Sequence, residues 1–146
     1  MTGVCKFELD IVPQPWRRAR VARVGRGVRH FQDSATRGYE QAIGLAAKAA
    51  MGGREPFSGA VAGWLTFSMP IPASWSHRKA QDARLGLTLP SVAPDLDNLC
   101  KAILDGCNGV VFLDDKQVVY IEATKRYADR PGVAVRFEVM GHDETV

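Results

Sequence analysis

Between Cys5 and Ile11 the chain alternates strictly: Cys5, Phe7, Leu9 and Ile11 are apolar, and Lys6, Glu8 and Asp10 are charged. A period of two puts the first set on the buried side of a strand and the second in water. Pro13 and Pro15 end the strand. The next segment, with turn glycines Gly25 and Gly27, reads as a loop or irregular hairpin. The period then lengthens. Tyr39, Ile43, Ala46, Ala47 and Ala50 recur at helical spacing, with Ser34 or Thr36 placed to cap the helix and Gly52 and Gly53 placed to stop it near Met51. From about Ala60 to Met69 apolar residues follow one another almost without interruption, as in a strand at the centre of a sheet. Pro70 and Pro72 break it. Ser74 predicts a capped short helix in WSHRKAQDAR, closed by Gly86, and residues 85–93 read as a loop.

A second helical stretch runs from about Asp97 to Cys107. At about 100° per residue, Asp97, Asn98, Lys101, Asp105 and Asn108 share one arc, opposite Leu99, Cys100, Ile103 and Cys107. Both cysteines therefore read as core. Val110 to Leu113 reads as a short extended run that ends in Asp114 and Asp115. Gln117 to Thr124 is rich in β-branched and aromatic residues and predicts a strand, and RYADRPG at 126–132 predicts a turn. Val133, Val135, Phe137 and Val139 then alternate with Ala134, Arg136 and Glu138 in a last strand, antiparallel to the one before it. The order β, α, β, α, α, β, β predicts an α+β fold, a single compact domain over residues 1–146 built on one mixed β-sheet with helices packed mainly on one face. An arginine-rich loop occupies about 13–32 and a frayed tail about 140–146.

Composition adds bounds. A chain of 146 residues, 46% hydrophobic and 24% charged, is long enough for one well-formed core and ordinary for a globular protein. No apolar run approaches the ~20 residues that cross a bilayer. The start, MTGVCKFELD, has neither the basic head nor the apolar stretch of a signal peptide, so no membrane partner is expected. Cys5, Cys100 and Cys107 form neither a disulfide framework nor a zinc motif, and a reducing cytoplasm is the expected setting.

Charge changes the picture through its distribution. The net value is only +3, yet from Ile11 to Gln32 there is no Asp or Glu, while Arg17, Arg18, Arg20, Arg23, Arg26 and Arg29 fall there with His30. Such a block is either a solvated arm or a phosphate-contacting surface, and the planar guanidinium fork suits the second task. His77, Arg78, Lys79 and Arg84 on the short helix carry the same two readings.

The candidate chemistry lies in PDLDNLCKAILDGCNGVVFLDDKQVV. Asp95 and Asp97 are followed by Asn98 and, one turn after Asp97, by Lys101; Asp114 and Asp115 form a second acidic pair. Carboxylates brought together repel one another unless a cation sits among them, and hard oxygen donors suit Mg²⁺ or Mn²⁺. An EF-hand loop begun at Asp95 would need Gly at Cys100 and Glu at Gly106, which excludes that pattern. An aspartyl-phosphate phosphatase would place its Asp-x-Asp directly after an apolar strand, whereas SVAP precedes Asp95. Plain helix and turn capping by these residues is the remaining alternative. The lysine one turn on, able to offset charge on a phosphate, together with the second pair, favours a metal-dependent phosphodiester-cleaving site.

These residues resemble the signature of RusA-type Holliday junction resolvases, endodeoxyribonucleases found mainly in bacteria and their phages and prophages. The signature has the form D-x-D-N-x-x-K, then D four residues on, then D-D-x-Q-V. It matches Asp95, Asp97, Asn98, Lys101, Asp105, Asp114, Asp115, Gln117 and Val118. PQPWRRARVAR resembles the family more loosely. The resemblance implies a homodimer that binds four-way DNA junctions and nicks two strands symmetrically with Mg²⁺, in recombination and repair. It implies catalytic roles for Asp95, Asp97, Lys101 and Asp115, with Asp114 beside them as a metal ligand. Arg17, Arg18, Arg20, Arg23, Arg26, Arg29, His77, Arg78 and Lys79 are the expected DNA contacts. The alternatives are a branched-DNA-binding protein without catalysis and a nuclease for other branched or flapped DNA.

Overall fold

The computed structural model describes residues 3–18, 20–25, 27–31 and 34–141, with the backbone alone at 20–24 and 28–31. In chain order the elements are β1 (Val4–Leu9), β2 (Arg20–Val24), β3 (Gly27–Phe31), α1 (Ser34–Met51), β4 (Val61–Pro70), α2 (His77–Arg84), α3 (Leu96–Cys107), a 3₁₀ turn (Asp115–Gln117), β5 (Val118–Ala128) and β6 (Gly132–Val139). The four-stranded sheet has the order β1-β6-β4-β5, and β2 and β3 form a separate antiparallel hairpin. The α+β class, the mixed sheet and the helical layer agree with the sequence reading.

The alternation of β1 sets its register. Cys5 faces Phe137 and Phe7 faces Val135 across the antiparallel β1–β6 ladder, and all four are buried. β4 is central, antiparallel to β6 and parallel to β5, as its unbroken apolar character requires. Gly63 of β4 lies under Phe137. A Cβ there would come within 2.9 Å of the ring, so the missing side chain is what lets Phe137 lie against the sheet and meet Phe112 edge-on. On the helical side, Tyr39, Ile43, Ala47 and Met51 of α1 and Leu99, Ala102, Ile103 and Cys107 of α3 close the core. Gly52 and Gly53, at φ 58° and 83°, end α1 in the left-handed region that glycine enters without strain.

Several expectations are corrected. The last strand runs opposite to β5 but pairs with β1 and β4, not with β5. The turn foreseen over 126–132 shrinks, because β5 continues to Ala128, matched to Pro70 of β4. The cap of α2 is Ser76, not Ser74: its Oγ accepts from the Lys79 N–H at 3.2 Å, while Trp75 N–H is already bonded back to Pro72. Val110 to Leu113 is not an extended run. Val110 and Val111 both donate to the Cys107 carbonyl and Gly109 takes φ 79°, so Val111 and Phe112 are buried as a tight turn. Arg26 and the tail from 142 onward lie outside the described residues, as do the side chains of Arg20, Arg23, Arg29 and His30.

Two contacts orient α3. The Lys125 ammonium, on β5, donates to the carbonyls of Val92 (2.7 Å) and Pro94 (2.9 Å), so the entry to α3 is held against the later half of β5. Its exit leads into the turn that begins β5. The helix therefore runs back along its own strand.

Candidate active site

Asp95 is the N-cap residue of α3, with extended backbone, yet its carboxylate makes no capping bond. An N-cap carboxylate ordinarily accepts an N–H from the first turn. Here Asp95 and Asp97 are both exposed, so capping does not account for Asp95. Asp114 behaves differently. Its carboxylate accepts from the Lys116 N–H at 2.9 Å, and its own N–H donates to Gln117 Oε1 at 3.0 Å, a reciprocal cap. The Lys116 N–H holds the Asp114 carboxyl below its usual range. Gln117 Nε2 donates to the carbonyls of Phe57 (2.8 Å) and Gly59 (2.9 Å), which ties the acidic turn to the approach to β4. The Asp115 N–H donates to Asn108 Oδ1 at 3.1 Å, so the residue that ends α3 also fixes the second acidic pair.

Along the exposed face of α3, Lys101 lies one turn after Asp97 and one before Asp105, with 3.9 Å between its ammonium and Asp105. Burial raises the Asp105 carboxyl above its usual value; Lys101 opposes this and Asp115 adds to it. Glu40, on α1, is raised by burial and then by Asp105, with Lys101 opposing. Its Oε1 is buried without a hydrogen-bond partner among the described residues. The structure thus gathers Glu40, Lys101, Asp105 and Asp115, while Asp95 and Asp97 sit toward the other end of the helix. Asp97 and Asp105 are about 12 Å apart along the axis, at 1.5 Å per residue.

Glu40 was not anticipated from the sequence. The signal was present: it lies three residues before Ile43, on the inward side of an otherwise apolar stripe. The helices meet closely enough to bring it in because Gly106 carries no side chain. A Cβ there would stand 2.8 Å from Ile43 Cγ2 and 3.2 Å from the Glu40 carbonyl, and one on Gly44 would stand 3.1 Å from the Gly106 carbonyl. Trp16 is the second unforeseen neighbour. Its N–H donates to the Asn98 carbonyl at 2.9 Å, and the Lys101 ammonium lies 4.9 Å from its ring centroid.

The expected DNA contacts divide. Arg17 and Arg18 are exposed, and Arg17 lines a cleft of about 570 Å³ with Trp16, Pro13, Pro94, Asp95 and Asn98, so the arginine segment begins beside the Asp95 end of α3. His77, Arg78 and Lys79 are exposed at the start of α2. The Lys79 ammonium rests 4.2 Å from the Trp75 ring centroid, and Trp75 meets Tyr127 of β5 edge-on. Arg84 pairs with Asp129 at 2.8 Å.

The signature donors are carboxylate oxygens, a chemistry that fits a hard divalent cation, and the orphaned Glu40 oxygen lies close by. Among the described residues no group of three or more His, Cys, Asp or Glu side chains is drawn together so as to hold a metal ion.

Over residues 10–138 the sequence matches the family described as Endodeoxyribonuclease RusA. The chain belongs to that family. RusA proteins are Holliday junction resolving endonucleases, and the matched region contains every element that carries the signature. The chain is also 39% identical over 67 residues to the protein named Uncharacterized protein YqaN of Bacillus subtilis (strain 168), a stretch covering 46% of this chain and 47% of that protein. The match thus spans about half the length of that curated relative. No helix among the described residues is long and apolar enough to cross a membrane.

Proposed function

We propose that this RusA-family chain is a divalent-metal-dependent endonuclease that resolves four-way DNA junctions as a homodimer, each protomer cutting one of two equivalent strands. The observation that carries the reading is the state of α3. Asp95 and Asp97 stand exposed at its entry, Asp95 without the capping bond that would explain it structurally, and Lys101 follows on the same face. Asp95 and Asp97, from the entry of α3, and Asp115 with Asp114 alongside, from the acidic turn, would be the ligands for Mg²⁺ (or Mn²⁺), two groups that stand apart among the described residues. Bound by these carboxylates, such a cation would supply Lewis-acid polarisation to the scissile phosphodiester. Lys101 contributes a compact positive charge toward the phosphate as negative charge develops on it. Asp105 and Glu40 restrain that lysine from the other side. Arg17 and Arg18, with the rest of the arginine segment, supply the cationic surface that offsets repulsion between DNA and the carboxylates. A two-fold dimer presents two such faces to a substrate with two equivalent strands.

The test is cleavage of a synthetic four-way junction with and without Mg²⁺, beside flapped and linear duplexes, by the wild type and by Asp95→Asn, Asp97→Asn and Asp115→Asn. Mg²⁺-dependent, paired nicks in the junction alone, lost in all three variants while junction binding persists, are expected. Binding without cleavage by the wild type would assign a non-catalytic role, and preferential cutting of flaps would change the substrate class. Wild-type cleavage by any one variant would remove that carboxylate from the site. Size measurement in solution decides the dimer.

A further inference from the structure

We propose that Trp16 is the positioning residue for Lys101. The inference rests on the reading of α3 as the catalytic face and adds what places its lysine there. Lysine is the least self-organised of the cationic side chains: a point charge on four rotatable bonds, and here the side chain is 46% exposed. Its ion pair with Asp105 is one turn C-terminal, so that pair alone would lay the ammonium along the helix away from Asp97. Trp16 supplies the opposing contact. Its main chain is pinned beside Asn98, one turn before Lys101, and its ring packs partly buried against the core. The π face is therefore a fixed wall, and the ammonium lies 4.9 Å from its centroid. Between the indole and the Asp105 carboxylate, the ammonium is held over the exposed face of α3 instead of being drawn along the helix by Asp105 alone.

The position of Trp16 in the chain gives this contact a further role. The arginine segment begins at the next residue, and Trp16 and Arg17 line the same cleft as Asp95 and Asn98. One residue thus registers the lysine against the carboxylates and also against the segment expected to grip the DNA backbone. The sequence gives Trp16 no apolar period that would mark it as ordinary core; it stands between Pro15 and two arginines.

The experiment compares Trp16→Phe, which keeps a π face, with Trp16→Leu, which keeps apolar bulk and removes it. Three quantities are read: the single-turnover cleavage rate at saturating enzyme, the junction Kd, and the NMR shifts of the Lys101 methylene protons, which the indole ring current displaces upfield. Trp16→Leu is expected to slow cleavage roughly tenfold or more with Kd changed less than about twofold, and to return the methylene shifts to ordinary lysine values. Trp16→Phe should stay within about threefold in rate and keep a displaced shift. Unchanged Lys101 shifts in Trp16→Leu, equal damage by both variants, or a loss confined to Kd would overturn the proposal. Should Trp16→Leu fail to fold, the contact is read from the other side. Lys101→Met in a Trp64→Phe/Trp75→Phe background must alter Trp16 fluorescence, and an unaltered spectrum rejects the contact. If the wild type cuts no junction, the catalytic reading fails while the NMR and fluorescence still decide whether Trp16 holds the lysine.

Discussion

Adding one methyl group at the α1–α3 crossing should loosen the protein, whereas the same methyl between one and two turns back along α1 should tighten it. In an open helical position, Gly→Ala stabilises by about 0.5–1 kcal/mol, because alanine loses less backbone entropy on folding. Gly38, in α1, is such a position: a Cβ there meets nothing within 4 Å. Gly106, in the last turn of α3, is not. Its Cβ would lie 2.8 Å from Ile43 Cγ2 and 2.9 Å from Ile43 Cβ. Ile43 is fully buried and β-branched on a helix, so it cannot swing aside and the two helices must separate. Overpacking of this kind costs about 1–3 kcal/mol, which outweighs the propensity gain. Gly106→Ala should therefore lose about 1–2 kcal/mol and Gly38→Ala gain up to about 1. Near 150 residues these correspond to Tm shifts of roughly −3 to −7 °C and up to about +3 °C. Urea titrations followed by circular dichroism, with unchanged m values, measure both. Cleavage adds a second readout, since separating the helices withdraws Glu40 from Asp105 and Lys101; the rate of Gly106→Ala should fall under conditions where it is fully folded. A Gly106→Ala protein as stable as Gly38→Ala would show that the crossing is not tightly packed, and the argument for Glu40 would go with it.

Gln117→Glu replaces a donor to two carbonyls with a carboxylate facing both. A loss of about 2 kcal/mol is expected, with weaker cleavage, and a neutral result in urea denaturation would mean the tie between turn and sheet carries no stability. Asp105 and Glu40 are both raised above ordinary carboxyl values, so their protonated forms favour folding. The stability they allow is full below about pH 4 and declines as pH rises through their folded values. Asp105→Asn should melt higher than the wild type at pH 7, with the gap closing toward pH 4; a pH-independent gap contradicts the sign. Neutralising Arg17 and Arg18 should weaken binding to all DNA and reduce the slope of log affinity against log salt by roughly one per lost phosphate contact. An unchanged slope would transfer the contacts to His77, Arg78 and Lys79.

Much of the fold was legible because its signals are local. The alternation at Cys5–Leu9, the stripe and terminal glycines of α1, and the polar arc of α3 are dictated by neighbours in sequence, and the structure keeps each close to its expected bounds. Pairing order was not legible. Only the parallel β4–β5 ladder, made across the α2–α3 crossover, determines that β5 is an edge and that it extends to Ala128. The apolar run at Val110–Leu113 misled for a related reason: burial explains its composition, but a positive-φ glycine and the Cys107 carbonyl wind it into a turn. At the site, residues that share α3 could be grouped by spacing alone. Glu40 and Trp16 could not, because what delivers them is a helix crossing through Gly106 and a loop pinned on Asn98.

The hairpin of β2 and β3 forms a sheet of its own, while the carboxylates and the lysine lie in the crossover between β4 and β5. On the proposed reading, the segment expected to grip and the residues expected to cut are thus written in different paragraphs of the chain. Among the described residues no rung of the main sheet passes through the arginine hairpin, so it can be lengthened, recoded or exchanged without unpairing the strands that hold α3. If the proposed function holds, descendants of such a fold can change which branched DNA they hold while keeping the same way of cutting it. Chimeras that swap the hairpin alone, from Arg20 to Phe31, and leave Trp16 in place are the natural place to look for altered preference.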